Sequence, residues 1–328
     1  MISKRVFLSS IAALCCGLKP VRSATSGTYP SHPITIVLPF SAGGPTDALT
    51  RIIAAKMREI LGQSVIIENV TGAAGTIGVG RVARAAADGY TISVGPMNSH
   101  VLTGAIYHLP FDLLRDLEPV ALLASNPSVI VSKKEVPAKD LKELVAWVKA
   151  NQDKVLAGTS GVGAATHLGG VLFETLTGTH IKFVPYRGTA PAMQALVAGQ
   201  IDLIFDQLSS SLPQLQEGTI KSYAVMSKTR AIAAPDIPTV DEAGLPGLDL
   251  PVWNGMWVPK GTPKPIIDKL NNAVVESLAD ATVRERLAAI GQEIYPRDQQ
   301  TPEALRAYQA AEIEKWWPIV KAAGIKAE

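Results

Sequence analysis

Short apolar runs alternate with longer amphipathic runs along most of this chain. The short runs have the length of buried strands, and the long runs carry apolar residues at helical spacing. The predicted strands are Ile34–Leu38, Val65–Glu68, Thr91–Val94, Pro119–Leu123, Val129–Val131, Val155–Ala157, Lys182–Val184, Leu203–Phe205, Tyr223–Met226 and Trp253–Val258. The helices predicted between them include Ala48–Leu61, Ile77–Ala87, Leu141–Ala150, Leu168–Leu176 and Ala190–Ala198. Such alternation predicts an α/β protein whose parallel sheets carry helices on both faces.

The C-terminal part changes to helices with little strand character between them. They are predicted at Pro263–Ala279, Ala281–Ile290 and Pro302–Ala323. Breaks rich in proline or glycine occur near residue 126 and before residue 251. A chain that leaves one lobe at the first break and returns at the second has two connections, which favours hinge closure around a ligand. We therefore expect residues 24–126 and 251–328 to form lobe 1, and residues 127–250 to form lobe 2.

The first predicted strand runs directly into a glycine turn and a helix. The turn, Pro39–Asp47, reads PFSAGGPTD. Its glycines permit a sharp bend and a close approach of the backbone to a ligand. Pro45 suits the first turn of a helix, and Thr46 or Asp47 could cap it. The N–H groups of such a helix start favour an anion, although a tight turn without a ligand has the same pattern.

A second turn of the same kind occurs later in the chain. Val155–His167 reads VLAGTSGVGAATH, again a strand followed by glycines and a helix start. Thr159 and Ser160 add hydroxyl groups, and Thr166 is a possible cap. Ligands of α/β sheets bind beyond the carboxyl ends of the strands, where both turns lie. The two turns could hold one small anion from opposite sides of a cleft.

The first 23 residues have the pattern of a secretory signal. Lys4 and Arg5 precede the apolar stretch Val6–Leu18, and Val21–Ser23 supplies a cleavage site. The stretch is too short to span a membrane. We expect export to the periplasm with cleavage near Ser23.

The two cysteines, Cys15 and Cys16, lie within this signal. The exported chain therefore has no disulfide, which suits a chain large enough to be stable on its core alone. A lipid anchor on either cysteine is the disfavoured alternative, because Leu14 stands where such an anchor needs a small residue.

Removal of the signal reverses the net charge. The full chain has 31 basic and 29 acidic residues. Cleavage removes four basic residues and no acidic one, so the exported chain has 27 against 29 and a net charge of −2. This balance gives no support to nucleic-acid binding.

Longer motifs resemble the Bug family, the extracytoplasmic solute receptors of tripartite tricarboxylate transporters. They keep the family order and cover nearly the whole exported chain. The matching segments are PFSAGGPTD at Pro39–Asp47, VIIENVTGAAGTIG at Val65–Gly78, ADGYT at Ala87–Thr91, GTSGVGAATHL at Gly158–Leu168, FVPYRGTAPAMQALVAGQIDLIFD at Phe183–Asp206, PTVDEAGLPG at Pro238–Gly247 and WNGMWVPKGTP at Trp253–Pro263.

The resemblance implies a two-lobed α/β fold of the type II periplasmic-binding-protein kind. Its sheets are expected to be rich in parallel strands, with flanking helices and two interlobe connections. The implied function is capture of a small carboxylate in the cleft, without catalysis, cofactor or metal, and its delivery to the membrane subunits of the transporter. The receptor is expected to act as a monomer.

The resemblance also implies the site residues. The first turn and the second turn correspond to the two carboxylate-binding loops of the family, and Asp206 falls where such receptors often meet the distal or amino end of the ligand. Asn98 could reach the cleft. The expected ligand-binding residues are Phe40, Ser41, Ala42, Gly43, Gly44, Thr46, Asp47, Asn98, Thr159, Ser160, Gly161, Gly163, Ala164, Ala165, His167 and Asp206.

Several of these residues have a structural alternative. Asp47 suits a helix cap better than a contact with an anion, since a carboxylate repels one. His167 could orient the second turn by hydrogen bonding, and Asn98 could cap a helix. Arg187 could pair with a ligand carboxylate, but an exposed surface position is favoured.

Two departures from the family pattern leave the identity of the acid open. Asp206 is followed by Gln207–Ser209, where Asn-Leu-Pro is more usual, and Pro96–Asn98 stands where small residues are commoner. Both departures lie in the part of the pocket that selects the ligand. A dicarboxylate, a tricarboxylate, an amino acid, a nicotinate-like acid and an aromatic acid all remain candidates.

Two other functions are less well supported. A secreted hydrolase or dinucleotide enzyme fits poorly, because neither glycine turn completes the dinucleotide fingerprint or the nucleophile elbow. The five histidines show no metal-ligand spacing. A ligand-sensing periplasmic adaptor for a signalling partner is the main alternative to transport, and the sequence does not separate the two.

Overall fold

The computed structural model describes residues 29–322 and 324–326. The expected signal, its cleavage site near Ser23, and Cys15 and Cys16 lie outside these residues. None of the helices in the described ranges is long and apolar enough to cross a membrane.

Eleven strands form two sheets in the described chain. The strands are β1 (Ile34–Leu38), β2 (Val65–Asn69), β3 (Thr91–Pro96), β4 (Leu117–Asn126), β5 (Ser128–Lys133), β6 (Leu156–Thr159), β7 (Lys182–Pro185), β8 (Leu203–Gln207), β9 (Ile220–Val225), β10 (Val252–Pro259) and β11 (Glu293–Ile294). One sheet has six strands with the order β11-β4-β10-β3-β1-β2, and the other has five strands with the order β7-β6-β8-β5-β9. The parts of the chain that pack around these two sheets are called lobe 1 and lobe 2 below.

Ten α-helices pack against these sheets within the described residues. They are α1 (Pro45–Leu61), α2 (Thr76–Ala83), α3 (Thr103–Ile106), α4 (Leu141–Ala150), α5 (Ala165–Thr177), α6 (Thr189–Val197), α7 (Leu208–Gln216), α8 (Lys264–Ala279), α9 (Ala281–Ala289) and α10 (Pro302–Ala322). Asn98–Leu102 forms a π-helical turn immediately before α3.

The predicted parallel pairing occurs where strands alternate with helices. In lobe 1, β1 pairs in parallel with β2 and β3. In lobe 2, β6 pairs in parallel with β7 and β8. The connecting strands β4, β5 and β10 instead pair antiparallel with their neighbours, so both sheets are mixed. β10 and β5 therefore run against the parallel strands of their sheets, whereas β4, which is antiparallel to β10, runs in the same direction as β1 and β3.

The two connections between the sheets lie side by side. β4 ends at Asn126 and β5 begins at Ser128. The hydroxyl of Ser128 donates a hydrogen bond to the carbonyl of Leu250 at 2.8 Å, just before β10 returns to lobe 1. The N–H of Leu250 in turn donates to the carbonyl of Met226 at 3.0 Å. The crossing segments are thus held together at one edge of the cleft.

The longest helix, α10, is fixed to lobe 1 through the tryptophans of β10. Trp253 and Trp257 are fully buried. Their indole N–H groups donate to Glu312 and Gln309 of α10, each at 3.1 Å. A buried indole needs such an acceptor, so these pairs set how the helix lies on the sheet.

The elements that sequence periodicity missed include α7 and β11. α7 contains Pro213 and a run of serines, and its apolar spacing is weak. β11 has two residues and exists because it pairs with the edge of β4 at Ala124 and Ser125. Both elements depend on neighbours that are distant in the sequence.

A candidate ligand site between the lobes

Four helices begin at the cleft between the lobes, and none of them has a side-chain cap. Their N-cap residues are Gly44 in α1, Ala164 in α5, Gly188 in α6 and Gln207 in α7. Helices α4 and α9, which begin elsewhere, are capped by the carboxylates of Asp140 and Asp280. An uncapped start leaves backbone N–H groups and the positive end of the helix dipole available to an anion.

The helix starts of both lobes surround a small space, which we call the inner cavity. Its volume is about 20 Å³, enough for about one water molecule. The carboxyl ends of β1, β3 and β8 open onto it. The lining residues are Leu38, Phe40, Ser41, Gly44, Pro45, Thr46, Asp47, Pro96, Asn98, Ser160, Thr189 and Gln207.

Three polar atoms of this lining have no hydrogen-bond partner among the described residues. They are Ser41 Oγ, Asn98 Oδ1 and Gln207 Oε1. Buried polar groups in proteins are nearly always paired, because an unpaired group has lost its water without replacement. The inner cavity therefore has the polarity of a site for a small polar molecule.

Asn254, on β10, is hydrogen-bonded to Thr46 in the lining of the inner cavity. Its Oδ1 accepts a hydrogen bond from the Thr46 hydroxyl at 3.0 Å, and its Nδ2 has no partner in the described chain. The side chain is fully buried. Sequence reasoning missed this residue, because a lone asparagine in an apolar strand carries no local signal.

Asp47 stabilises the first glycine turn by hydrogen bonds and does not cap helix α1. Asp47 Oδ2 accepts the N–H of Gly43 at 3.0 Å and Arg51 Nε at 2.7 Å. Its Oδ1 accepts Arg51 Nη2 at 3.0 Å and Asn69 Nδ2 at 3.1 Å. Burial acts to raise the pKa of Asp47, but the hydrogen bonds from Arg51, Gly43 and Asn69 outweigh it and lower the pKa.

The expectation of a Thr46 or Asp47 cap on α1 is therefore wrong. Gly44 is the N-cap residue, and no side chain caps the helix. Asp47 has both oxygens engaged in holding the turn, which leaves the N–H groups of the helix start free.

His167 stabilises the second glycine turn in the same way, by a hydrogen bond to its backbone. Its Nδ1 accepts the N–H of Gly163 at 3.1 Å. Burial lowers the pKa of His167, which keeps the imidazole neutral and able to accept. Thr166 Oγ1 accepts the N–H of Ser160 at 2.8 Å, so the turn is tied to the first turn of α5 at two points.

A larger space, the outer cavity, lies at the mouth of the cleft and has a volume of about 420 Å³. Phe40 and Ser160 line both cavities, so the two are adjacent. The other lining residues are Pro39, Thr71, Gly72, Ala73, Ala74, Gly75, Tyr107, Gly161, Val162, Tyr186 and Arg187.

The lobes touch each other across the cleft. The hydroxyl of Tyr107 in lobe 1 donates to the carbonyl of Val162 in lobe 2 at 3.3 Å. A Cβ built on Gly163 would lie 2.1 Å from Cδ1 of Ile106. A Cβ on Gly188 would lie 2.2 Å from the hydroxyl of Ser41. Both glycines have positive φ and lie where the two lobes approach each other closely, so a side chain at either position would need Ile106 or Ser41 to move.

The structure divides the residues expected to bind ligand into lining and supporting sets. Those that line the inner or the outer cavity are Phe40, Ser41, Gly44, Thr46, Asp47, Asn98, Ser160 and Gly161. Those that line neither are Ala42, Gly43, Thr159, Gly163, Ala164, Ala165, His167 and Asp206. Arg187, for which an exposed surface position was favoured, is exposed and lines the outer cavity.

Sequence reasoning missed Thr189 as a lining residue, and it named Gln207 only as a departure from the family pattern in the ligand-selecting part of the pocket. Thr189 follows β7 and Gly188, which is a third strand–glycine–helix joint and could have been found by the same pattern. Gln207 is the neighbour of Asp206. Successive side chains of a strand point to opposite faces, so only one of the two can face the cavity.

Asp206 lies behind the cavity lining and is fully buried. Its Oδ2 accepts the hydroxyl of Ser211 at 2.7 Å, and its Oδ1 has no partner in the described residues. Burial raises the pKa of Asp206 to about 6, against the opposing effect of hydrogen bonds to the carboxylate. Within residues 29–322 and 324–326, no cluster of three or more His, Cys, Asp or Glu side chains is arranged to hold a metal ion.

Solved structures with the same architecture define the class of this protein. A structure described as that of the periplasmic binding protein BugD is 40% identical, covers 91% of this chain and 100% of its own, and superimposes with a TM-score of 0.88. MatC from Rhodopseudomonas palustris, solved with bound malate, is 39% identical and covers 89% of this chain and 100% of its own, with a TM-score of 0.86. The fold is that of a two-lobed periplasmic binding protein.

Sequence comparison gives the family. Residues 49–325 match the tripartite tricarboxylate transporter family receptor, TctC. A relative from Agrobacterium vitis, described as a UPF0065 protein in the TAR-I ttuE-ttuC' intergenic region, is 38% identical over 95% of this chain and 90% of its own. The chain therefore belongs to the TctC, or Bug, family of solute-binding receptors, as its motifs predict.

Proposed function

We propose that this receptor binds a small carboxylic acid in the inner cavity and delivers it to the membrane subunits of a tripartite tricarboxylate-type transporter. The observation that carries this proposal is the set of uncapped helix starts around a cavity lined with unpartnered polar atoms. The family membership and the malate bound to the similar MatC support a carboxylate.

The binding energy in this proposal depends on both lobes together. Lobe 1 supplies the N–H groups at the start of α1, and lobe 2 supplies those of α6 and α7. A carboxylate receives all of them only when the lobes are closed, so binding favours the closed state. Hydrogen bonds to a charged group contribute roughly 1.5–3 kcal/mol each. Four or five of them, less the cost of association, correspond to affinity of about micromolar order.

The same proposal requires the lobes to open. The inner cavity of about 20 Å³ is smaller than any carboxylic acid of interest. We propose that the paired connections near Asn126 and Leu250 form the hinge, with residues 24–126 and 251–328 moving against residues 127–250. Their hydrogen bonds to each other define an axis at one edge of the cleft.

We propose binding without chemistry. Among the described residues, no His, Cys or Lys lines the inner cavity. The hydroxyl of Ser160 lies 3.1 Å from that of Thr166 and next to no base. A nucleophile needs an adjacent base, so the geometry favours a receptor over a hydrolase.

A panel of carboxylic acids tests the proposed function directly. Ligands that bind the folded state raise the melting temperature by mass action. We expect at least one acid to raise the melting temperature of the exported chain, with affinity confirmed by calorimetry, while its methyl ester has no effect. A panel in which every acid fails, or in which ester and acid act alike, would contradict a carboxylate receptor.

We also propose that residues 1–23 are removed on export to the periplasm. The basic start, the apolar stretch and the small residues before Ala24 support this cleavage. N-terminal sequencing of the protein recovered from the periplasm is expected to begin at Ala24. Recovery of the chain with Met1 intact would contradict it.

A further inference from the structure

A further cavity lies between the lobes but outside the ligand cleft, and we call it the hinge groove. Its volume is about 530 Å³, which is within the range of cavities that hold small organic ligands. One wall comes from the segment after β9, whose Ala231 is buried in the core of the five-stranded sheet. The other wall comes from α9 and β11, whose Leu287 and Ile294 pack on the six-stranded sheet. No described residue that lines the groove also lines the inner or the outer cavity.

The hinge groove adjoins the two connections between the lobes. Glu293 of β11 is paired with Ser125 of β4, next to Asn126, where the chain leaves lobe 1. The segment after β9 begins at Met226, whose carbonyl accepts the N–H of Leu250. Because the two walls belong to different lobes, a movement of one lobe against the other changes the shape of the groove.

Gln292 lies in the wall of the groove with an unpaired amide. Its side chain is 3% exposed, and neither Oε1 nor Nε2 has a hydrogen-bond partner among the described residues. Two buried polar atoms without partners cost stability. A ligand that satisfies both must bring a donor for Oε1 and an acceptor for Nε2. The first residue of an extended peptide carries such a pair, since its N–H donors and its carbonyl oxygen lie on the same edge.

The same groove carries two charges of opposite sign. Glu293 is half-buried, and burial raises the pKa of its carboxyl group against the effect of a hydrogen bond from the backbone of Ile232. Arg284 is exposed on α9. Among the ion pairs of the described chain, the one that reaches this groove joins Arg230 to Glu242. Glu293 and Arg284 are therefore left without an ion-pair partner, and a ligand with both an ammonium group and a carboxylate is complementary to them.

We propose that the hinge groove is a second ligand site, that it takes a dipeptide with free ends, and that its occupation favours the closed lobes. The ammonium group lies at Glu293, the first carbonyl at the amide of Gln292, and the terminal carboxylate at Arg284. Ile232, whose side chain is 82% exposed, offers an apolar contact to a side chain of the ligand. This inference goes beyond the proposed function, because the site lies outside the cleft and takes a molecule without net charge.

Calorimetry with Ala-Ala tests the site directly, with the cleft saturated by the tightest acid of the panel. N-acetyl-Ala-Ala lacks the ammonium group and Ala-Ala-amide lacks the carboxylate. Because each loses one charge-assisted contact, each is expected to bind about tenfold more weakly than Ala-Ala. Glycylglycine is expected to bind more tightly than 5-aminopentanoate, which has the same number of atoms between its charged ends but no peptide bond to pair with Gln292.

Gln292→Met tests whether the amide recognises the ligand. The substitution keeps the length of the side chain and removes both polar atoms. It is expected to lower the affinity for Ala-Ala about tenfold. The melting temperature of the free receptor is expected to stay unchanged or rise, because a buried amide without partners has been removed. A lower melting temperature together with unchanged binding would show that the amide has only a structural role.

Two charge variants assign the ends of the ligand. Arg284→Gln is expected to weaken Ala-Ala about tenfold and to leave Ala-Ala-amide within about twofold, because the amide has no carboxylate to lose. Glu293→Gln is expected to weaken Ala-Ala by a similar factor and to leave N-acetyl-Ala-Ala unchanged. Arg286→Gln is the matched control: Arg286 is exposed on the same helix and does not line the groove, so the variant should bind as the wild type does.

The effect on closure is measured through the cleft. When both ligands favour the closed lobes, the acid tightens Ala-Ala by the same factor as Ala-Ala tightens the acid. We expect a factor of about five in each direction. In Gln292→Met, Ala-Ala should no longer affect the acid at concentrations that saturate the wild type, while the affinity for the acid alone stays the same.

Each part of the inference can fail by itself. The site is refuted if Ala-Ala does not bind, if the cleft acid displaces it, or if Gln292→Met binds it as the wild type does. The effect on closure is refuted if both ligands bind without coupling. If no acid binds the cleft, the proposed function fails, whereas titration of the receptor with Ala-Ala alone still decides the hinge groove.

Discussion

Asp206 is a buried carboxyl group one residue away from the cavity lining, and its burial has a cost. Its pKa is raised from 3.8 to about 6, chiefly by loss of solvent. At a pH between 3.8 and about 6, the carboxyl group is protonated in the folded state and ionised in the unfolded state. Stability contributed by the group is therefore lost as the pH rises from about 4 to 6. The shift corresponds to about 3 kcal/mol.

Asp206→Asn is expected to remove the loss of stability that the Asp206 carboxyl group causes as the pH rises. Another buried group, His100, has its pKa lowered to about 3 by burial and acts in the opposite direction over the same range. The readout is therefore the difference in melting temperature between variant and wild type at each pH. We expect that difference to shift in favour of the variant as the pH rises from 4 to 7. A difference independent of pH would show that Asp206 titrates normally.

At the scale of elements, the site consists of helix starts without side-chain caps, whereas α4 and α9 have such caps. Asp140 and Asp280 satisfy the first N–H groups of α4 and α9 with carboxylates. Gly44 leaves those of α1 open. In the proposed complex the ligand carboxylate takes the role of the missing cap, so the free receptor lacks the stability that a side-chain cap would contribute to α1.

Gly44→Asp is expected to supply that cap and exclude the ligand. Gly44 has extended backbone, with φ of −82° and ψ of 173°, which any residue adopts. A Cβ there would lie 3.5 Å from the Ser41 carbonyl, an ordinary contact. By calorimetry we expect at least a hundredfold loss of acid affinity, from competition and charge repulsion together, with an unchanged or raised melting temperature. Gly44→Ala, which adds the Cβ without the carboxylate, should bind within about fivefold of wild type; equal behaviour of the two variants would contradict the capping argument.

At the scale of the whole molecule, the proposed mechanism requires the lobes to close until Ile106 meets Gly163. A side chain at Gly163 would collide with Ile106 at 2.1 Å, and the residue has φ of +76°. Gly178, at the other end of α5, has φ of +62° with open space around its Cβ position. Substitutions at Gly163 and Gly178 can therefore be compared to separate the stability lost through left-handed backbone from the affinity lost through blocked closure of the lobes.

Gly163→Ala is expected to fold but to close incompletely. Small-angle scattering of wild type should show a radius of gyration that falls when the tightest acid of the panel is added, whereas the variant should keep the larger value and bind at least tenfold more weakly. The double variant Gly163→Ala/Ile106→Ala should recover part of the fall in radius of gyration and part of the affinity, because the shortened side chain at residue 106 leaves room for the added methyl group. Gly178→Ala should lose stability by about 1 kcal/mol and bind normally. A radius of gyration that does not change in the wild type would refute the closure mechanism.

The sequence by itself determined the elements, the two glycine turns and the family. Periodicity and turn residues act over a few positions, so β1 and α4 could be bounded without tertiary information. The predicted domain limits and site residues remain predictions. Phe40, Ser41 and Ser160 lie on the turns themselves and line the cavities, so the local pattern was enough to single out the segments that carry them.

Only the tertiary structure decided which side chains face the ligand cavity and which hold the turns. His167 is as prominent in the sequence as Ser41, yet it lines neither cavity and instead accepts a hydrogen bond from Gly163. Asp47 does line the inner cavity, but both of its oxygens accept hydrogen bonds that hold the first turn. Gln207 faces the cavity and Asp206 does not, because strand alternation combines with how β8 lies between its neighbours. The cavity is formed by elements far apart in the chain, and its lining is set by packing, which short-range sequence patterns do not contain.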